Sequence, residues 1–271
     1  MSWDILPKVQ FPSMRRMITL SVLRTEVVSP GFRSVTLGGA DLDHLEPTGR
    51  DHTIRLFFPR AGQPSLRMPT IHNDAWMAQL LLQPKAVRPW VRNYTIRRTR
   101  PAAQEIDIEF AIHGEGPAST WALSARPGDP AGIFDMGITY LPPADAAWHL
   151  LAGEETALPA ILSILEHAPS SLVAEVFLEV PSPADIRTDV TAPPGARIHW
   201  LPRGDGPGLP GQLALATLKE AELPPGRSYT WVAGESKLAT GLRRHLVNDR
   251  GFAKSDIAFN GYWRHGRSSP G

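Results

Sequence analysis

Cysteine is absent from all 271 residues. That excludes disulfides, cysteine nucleophiles and thiolate-held iron–sulfur clusters. A chain of this kind that moves electrons needs another carrier. Long apolar runs are missing too: no stretch approaches the roughly 20 residues that a membrane helix needs. The opening "MSWDILPKVQFPSMRR" lacks a charged start followed by an apolar core, so no secretory signal is expected and the cytoplasm is the expected location. Net charge is close to nil, +1 from 28 Lys and Arg against 27 Asp and Glu. No global field draws the chain to nucleic acid or to an acidic membrane, so neither a nucleic-acid partner nor membrane insertion is expected. Any basic site must be local. The nine histidines are scattered without metal-ligand spacing, and no metal is expected. Internal repeats and long low-complexity segments are also lacking.

What is present reads as a soluble globular chain, 42% hydrophobic and 20% charged, long enough for two ordinary domains. The first half is strand-like. "ITLSVLRTEVVS", "FRSVTLGG", "HTIRLFFP", "VRNYTIRR" and "EIDIEFAIHG" are short and rich in Val, Ile, Thr and Phe, with Gly, Pro and Asp clusters between them. In the last of these, Ile106, Ile108, Phe110 and Ile112 share one face, while Glu105, Asp107 and Glu109 share the other. Such a series predicts an antiparallel barrel or sandwich. Residues 70–90 form a long connection, with a helical turn or two at "AWMAQLLL". The second half alternates strand and helix from "AWHLLAG" to "DIAFNGYW", which predicts a parallel sheet with helices packed on it. The two prolines of "TYLPPADAAW" put the boundary between a domain 1–145 and a domain 146–271.

Five stretches carry chemical potential. In "RNYT", residues 92–95, Arg92 offers a guanidinium fork for a pyrophosphate, Tyr94 a face for a flavin ring, and Thr95 a hydroxyl for the ring's nitrogen edge. On a strand Arg92 and Tyr94 share a face and Thr95 points away, so its backbone N–H would serve instead. The plain alternative is a core tyrosine beside a solvated arginine. In "HGEGPASTWALSARPGD", a strand ends at His113, and Gly114, Gly116 and Pro117 turn into a helix begun by Ala118, Ser119, Thr120 and Trp121. Bare N–H groups there make a pyrophosphate cradle, or Ser119 or Thr120 simply caps the helix. "AGEETALPAILSIL" and "WVAGESKLATGLRR" each run strand, glycine, helix, the place where an open parallel sheet accepts a nucleotide. Neither contains G-x-G-x-x-G. Glu154 and Glu155 would repel a pyrophosphate, so they cap the helix or meet a ribose. Lys237, Arg243 and Arg244 follow Gly234 and Glu235 and would answer a nicotinamide phosphate, or form a solvated helix face. "NGYWRHGR" puts Tyr262, Trp263, Arg264, His265 and Arg267 at the end of the last strand, as a cover for one end of a flavin or as an aromatic anchor with a basic tail.

Together, "DHTIRLFFP" (51–59), "RNYTIRR" (92–98), "HGEGPASTWALSARPGD" (113–129), "AGEETALPAI" (152–161), "WVAGE" (231–235) and "GYWRHG" (261–266) resemble the siderophore-interacting proteins, flavin-dependent ferric-siderophore reductases, from about residue 17 to residue 267. The resemblance implies a ferredoxin-reductase-like architecture: an N-terminal antiparallel FAD-binding barrel, then a C-terminal parallel-sheet nicotinamide-binding domain. It implies that Arg92, Asn93, Tyr94 and Thr95 hold the flavin, and that His113, Gly116, Pro117, Ala118, Ser119 and Trp121 hold the rest of FAD. Glu155, Thr156 and Ala157 would line the cleft between domains, with Gly234, Glu235, Tyr262 and Trp263 completing the cofactor sites. Arg55 and Arg264 would bind an anionic ferric siderophore. The donor would be NADH, NADPH or a reduced ferredoxin. No protein side chain acts as acid or nucleophile, because the flavin carries the chemistry. The alternatives are a general NAD(P)H:flavin or quinone reductase and a non-catalytic siderophore- or flavin-binding module.

Overall fold

The computed structural model describes residues 8–112, 114, 116–204, 206 and 208–267. It divides into two units, residues 10–138 and residues 139–267 with Lys8 and Val9.

The first unit contains β1 (Met17–Ser29), β2 (Phe32–Gly38), β3 (Thr53–Phe58), α1 (Trp76–Leu82), β4 (Trp90–Thr95), β5 (Arg98–Arg100), β6 (Glu105–Ala111), α2 (Pro117–Ser124) and β7 (Pro130–Gly137). Its seven strands pair antiparallel in the order β4-β3-β7-β1-β2-β6-β5. The outermost strands, β4 and β5, are separated in sequence by only Ile96 and Arg97. So short a link spans roughly 10 Å at most, so the two edges must lie side by side and the sheet closes into a barrel. The link shows it: Ile96 N–H donates to the His52 carbonyl beside β3, and Arg97 N–H to the Asp107 carbonyl of β6. The alternation expected for "EIDIEFAIH" is present. Ile106, Ile108 and Phe110 enter a core with Ile18, Leu20, Val35, Leu37, Ile54, Leu56, Phe58 and Ile133, and Ile112 packs against it. Asp107 is gripped by Arg100 at 2.6 Å, and Glu109 by Arg97 at 3.6 Å. Fully burying each large apolar side chain stabilises the fold by about 1.5–3 kcal/mol. Two strands go beyond the sequence reading: short β5, and β7, which lies between β3 and β1.

The second unit contains β8 (Trp148–Gly153), α3 (Leu158–Glu166), β9 (Val173–Val180), β10 (Gly195–Pro202), α4 (Gln212–Glu220), β11 (Ser228–Glu235), α5 (Ser236–Asn248) and β12 (Ile257–Trp263). All five strands pair in parallel, in the order β10-β9-β8-β11-β12. The order reverses between β8 and β11. In an open α/β sheet the ligand crevice lies beyond the carboxyl ends of the strands at such a reversal. Residues 139–141 are held within this unit. The Tyr229 hydroxyl accepts from Leu141 N–H at 2.9 Å, the Trp231 indole donates to Thr139 Oγ1 at 3.0 Å, and Tyr140 hydrogen-bonds His149.

Candidate cofactor and substrate sites

Period-two geometry on β4 sends Trp90 and Tyr94 toward the barrel core and Val91 to the opposite face, where it packs with Phe57, Trp76, Leu80 and Phe134. Arg92 shares the Tyr94 side, as the spacing predicts. The Tyr94 ring sits 4.3 Å from Phe110, and Trp121 of α2 lies 5.7 Å from the same ring. Phe110 thus joins the "RNYT" strand to the helix after the Gly-rich turn. Burial pushes the Tyr94 phenol far above its ordinary pKa, so the ring stays neutral. Trp121 is itself a buried core residue that braces α2.

Arg92 is half-buried; its Nη1 donates to the Val91 carbonyl at 2.7 Å, and its guanidinium lies 5.0 Å from the Trp90 ring. Arg60 stacks on the same indole at 3.7 Å. Burial holds both guanidinium pKa values below the ordinary one, and each lies in the other's field or that of another arginine. Among the described residues neither has a carboxylate partner, so the two cations leave a local positive field that suits a phosphate. The sequence reading missed Arg60 and Trp90; "FFPRAG" just after β3 was the signal for the first.

At the start of α2, Gly116 is the N-cap and Pro117 occupies the first turn, where its missing N–H costs nothing. Thr120 N–H closes the first turn on the Gly116 carbonyl at 2.9 Å, and no side chain caps the end. Ser119 is buried, and neither it nor Thr120 caps the helix. A Cβ added at Gly114 or Gly116 would meet nothing within 4 Å, and Gly114 has φ +63°. The approach to the helix start is therefore open, as a pyrophosphate cradle needs. His113 lies outside the described residues.

Asn93 and Arg55 are directly cross-strand and hydrogen-bonded to each other. They lie on the Val91 and Phe57 face, away from Tyr94. Thr95, buried, lies on that face too and pairs with Thr53. The residues expected at the first site therefore divide between two faces of one strand pair. Arg55 is half-buried and its pKa is lowered by burial, an arginine that gains from an anionic partner.

At the reversal in the parallel sheet, Gly153 lets α3 approach: a Cβ there would lie 2.5 Å from the Ala157 Cβ. Glu154 is fully buried. It accepts from Thr156 N–H and from the Trp263 indole, both at 2.9 Å, and from the Thr156 hydroxyl. Gly234, at φ +126°, leaves room for this carboxyl, which a Cβ would meet at 2.5 Å. Burial, then the charge of Glu155, push the Glu154 pKa up to about 8. Glu155 is buried and held by Arg203 at 2.8 Å. Arg203 also grips Glu179 at 2.5 Å, and Glu179 accepts from Gly211 and Ala214 N–H at the start of α4, both at 2.9 Å. Glu235 caps α5 through Lys237 N–H and accepts from His265 N–H at 3.1 Å. Of the expected lining, Ala157, Gly234 and Glu235 are buried, Thr156, Tyr262 and Trp263 half-buried. Lys237, Arg244 and Arg264 are exposed, whereas Arg243 lies over Phe259 at 4.8 Å.

Comparison with known proteins agrees with both units. Residues 21–138 match the siderophore-interacting FAD-binding domain, and residues 146–266 match the siderophore-interacting protein domain. The ferric vibriobactin reductase ViuB of Vibrio cholerae is 34% identical, over 92% of this chain and 90% of its own length. The NADPH-dependent ferric-chelate reductase of Escherichia coli is 29% identical, over 90% and 91%. A siderophore utilization protein from T. fusca superposes with TM-score 0.81 at 31% identity, covering 96% of this chain and 97% of its own. A ferredoxin NADP+ reductase from Neisseria gonorrhoeae, at 15% identity and TM-score 0.64 over 91% of this chain and 99% of its own, shares the fold. With barrel, parallel sheet and near-full-length relatives in agreement, the chain belongs to the siderophore-interacting protein family and carries that family's FAD-binding domain.

Proposed function

We propose that this chain is an FAD-dependent ferric-siderophore reductase that draws its electrons from NAD(P)H in the cytoplasm. The observation that carries the reading is the Phe110 junction, where the Tyr94 ring and the open start of α2 converge. Near-full-length likeness to two named ferric reductases supports it. Residues 10–138 hold the FAD: Tyr94 offers a neutral ring face, Arg92 with Arg60 offers positive charge for phosphate, and the uncapped turn at Gly116 offers backbone N–H groups. When bound, FAD converts a two-electron hydride from the donor into single electrons for Fe(III), a substrate the protein need not ligate. Residues 139–267 receive the donor beyond the ends of β8 and β11, where Thr156 and Trp263 present polar groups. A reduced ferredoxin is the second reading for the donor, favoured by the missing G-x-G-x-x-G run.

Arg55, half-buried and held in place by Asn93, attracts the anionic ferric chelate; Arg264, exposed, is a second cation that suits such an anion. Arg55→Glu is expected to raise KM for an anionic ferric siderophore by about 10–100-fold, the worth of a charge-assisted contact, at unchanged flavin content. An unchanged KM removes Arg55 from the substrate site. The decisive experiment is anaerobic. NADPH, NADH or reduced ferredoxin is added to the yellow protein, then ferric siderophore, while flavin absorbance and a ferrous trap are followed. Bleaching, recovery and trap colour are expected. A bleached flavin that quinone reoxidises and ferric siderophore does not would identify a general reductase. A flavin that no donor bleaches would identify a binding module.

A further inference from the structure

Twelve large hydrophobic side chains are exposed among the described residues, and six of them fall in two short segments of the barrel unit: Phe11 and Met14, then Ile71, Met77, Leu81 and Leu82. Leu82 is 86% exposed, Leu81 and Met14 55%, and Phe11 50%. The two segments are tied together. Arg15 pairs with Asp74 at 2.8 Å and lies over the rings of both Phe11 and Phe134, and Phe134 packs on Trp76 of α1. Met17 N–H donates to His72 Nδ1 at 3.1 Å.

The helix that carries most of this patch is firmly seated. Trp76 and Leu80 are buried against Phe57 and Phe134, so Met77, Leu81 and Leu82 have nowhere to turn but outward. Gln79 fixes Thr70 and Ile71 beside the helix with three hydrogen bonds. The Arg88 guanidinium closes its C-terminus on the Leu81 and Gln83 carbonyls. A rigid element that is apolar on both its inner and outer sides is built to meet an apolar surface.

The charge around it selects that surface. Residues 10–17 and 59–89 hold six Arg and Lys against a single Asp, in a chain whose total is only +1. Asp74 is neutralised by Arg15, and Glu46 meets the patch at Ser13. Arg16, Arg67 and Lys85 are exposed, with no carboxylate partner among the described residues. A second copy of this chain would set two such basic patches against each other, as a twofold interface requires. An anionic bilayer answers both features, taking the leucines at its headgroup–acyl boundary and the cations at its phosphates.

We propose that α1 and the 11–14 segment form a peripheral docking surface for a membrane rich in anionic phospholipid. The contact is reversible and spans nothing. It is independent of the redox reading, since soluble ferric chelate needs no bilayer.

The test is co-sedimentation of the flavin-loaded protein with phosphatidylglycerol-rich vesicles and with pure phosphatidylcholine vesicles, at low and high salt. The wild type is expected to partition onto the anionic vesicles at low salt and to leave them at high salt. Leu81→Glu with Leu82→Glu, and separately Arg67→Glu with Lys85→Glu, should each weaken partitioning by at least about tenfold. Flavin absorbance and turnover of a soluble ferric chelate should stay unchanged. The charge pair alters exposed side chains alone, so it reports even if the leucine pair misfolds. Equal partitioning of variants and wild type overturns the proposal, as does failure to bind anionic vesicles. A concentration-dependent dimer that the leucine variant dissociates also overturns it, because the patch then belongs to a second copy.

Discussion

Arg92 is the side chain in which sequence and structure meet most directly. It stands half-buried beside Trp90, its charge made costly by burial and by Arg60, with a backbone carbonyl as its polar partner. A phosphate would relieve that cost. Arg92→Ala is therefore expected to raise the flavin Kd by about 10–100-fold, the loss of one charge-assisted contact. Fluorescence titration of the apoprotein with FAD checks this, and wild-type affinity would remove Arg92 from the site. Period-two spacing was enough to foresee that Arg92 and Tyr94 share a face and Thr95 turns away. It could not foresee Arg60 on the Trp90 ring, which joins a loop to a strand some 30 residues later in the chain. Nor could it tell that Glu155 is already committed to an arginine 48 residues on.

Among elements, Arg203 is the joint that matters. It follows β10 and reaches Glu155 beyond β8 and Glu179 at the end of β9, tying the ends of three neighbouring strands. Glu179 in turn caps α4. Arg203→Ala leaves two buried carboxylates without their cation. The expected cost is about 3–5 kcal/mol of stability, read as an earlier urea midpoint of the circular dichroism signal. A loss under about 1 kcal/mol would mean that water replaces the guanidinium freely. At this scale the alternation of strand and helix makes the parallel sheet readable from the sequence. β7 escaped notice for an equally physical reason. "PAGIFDMG" opens on proline and carries two glycines, so its turn-forming residues masked the apolar run Ile133–Phe134 that fills the middle of the barrel sheet. The apolar connection 70–90 was visible, but the outward stance of Leu81 and Leu82 depends on Trp76 and Leu80 winning the inner face.

For the molecule as a whole, two buried groups set opposing dependences on pH. Burial depresses the His149 pKa to about 4, so its contribution to stability is present above its ordinary 6.5 and lost as pH falls toward 4. Glu154 behaves inversely. Its pKa is raised from 4.5 to about 8, so the folded chain keeps a proton that the unfolded chain releases, and stability drains away as pH climbs from 4.5 to 8. Between 4.5 and 6.5 the two slopes cancel; above 6.5 only the Glu154 loss remains. Wild-type Tm is expected to hold level and then decline over that range. Glu154→Gln should remove the alkaline decline, so that its Tm gains on wild type steadily with rising pH. A gap that does not change with pH would show that Glu154 is ionised throughout.

The barrel closes through Ile96 and Arg97, directly after the strand that carries Arg92 and Tyr94. On the proposed reading of Arg92 and Tyr94, the clasp of the cylinder and the grip on the cofactor are one continuous piece of backbone. A single residue inserted at 96–97 would displace the two link hydrogen bonds, to His52 and Asp107, that close the hoop beside Tyr94. On that reading, a change in flavin affinity is expected from exchange of side chains along β4 rather than from a longer link beside it.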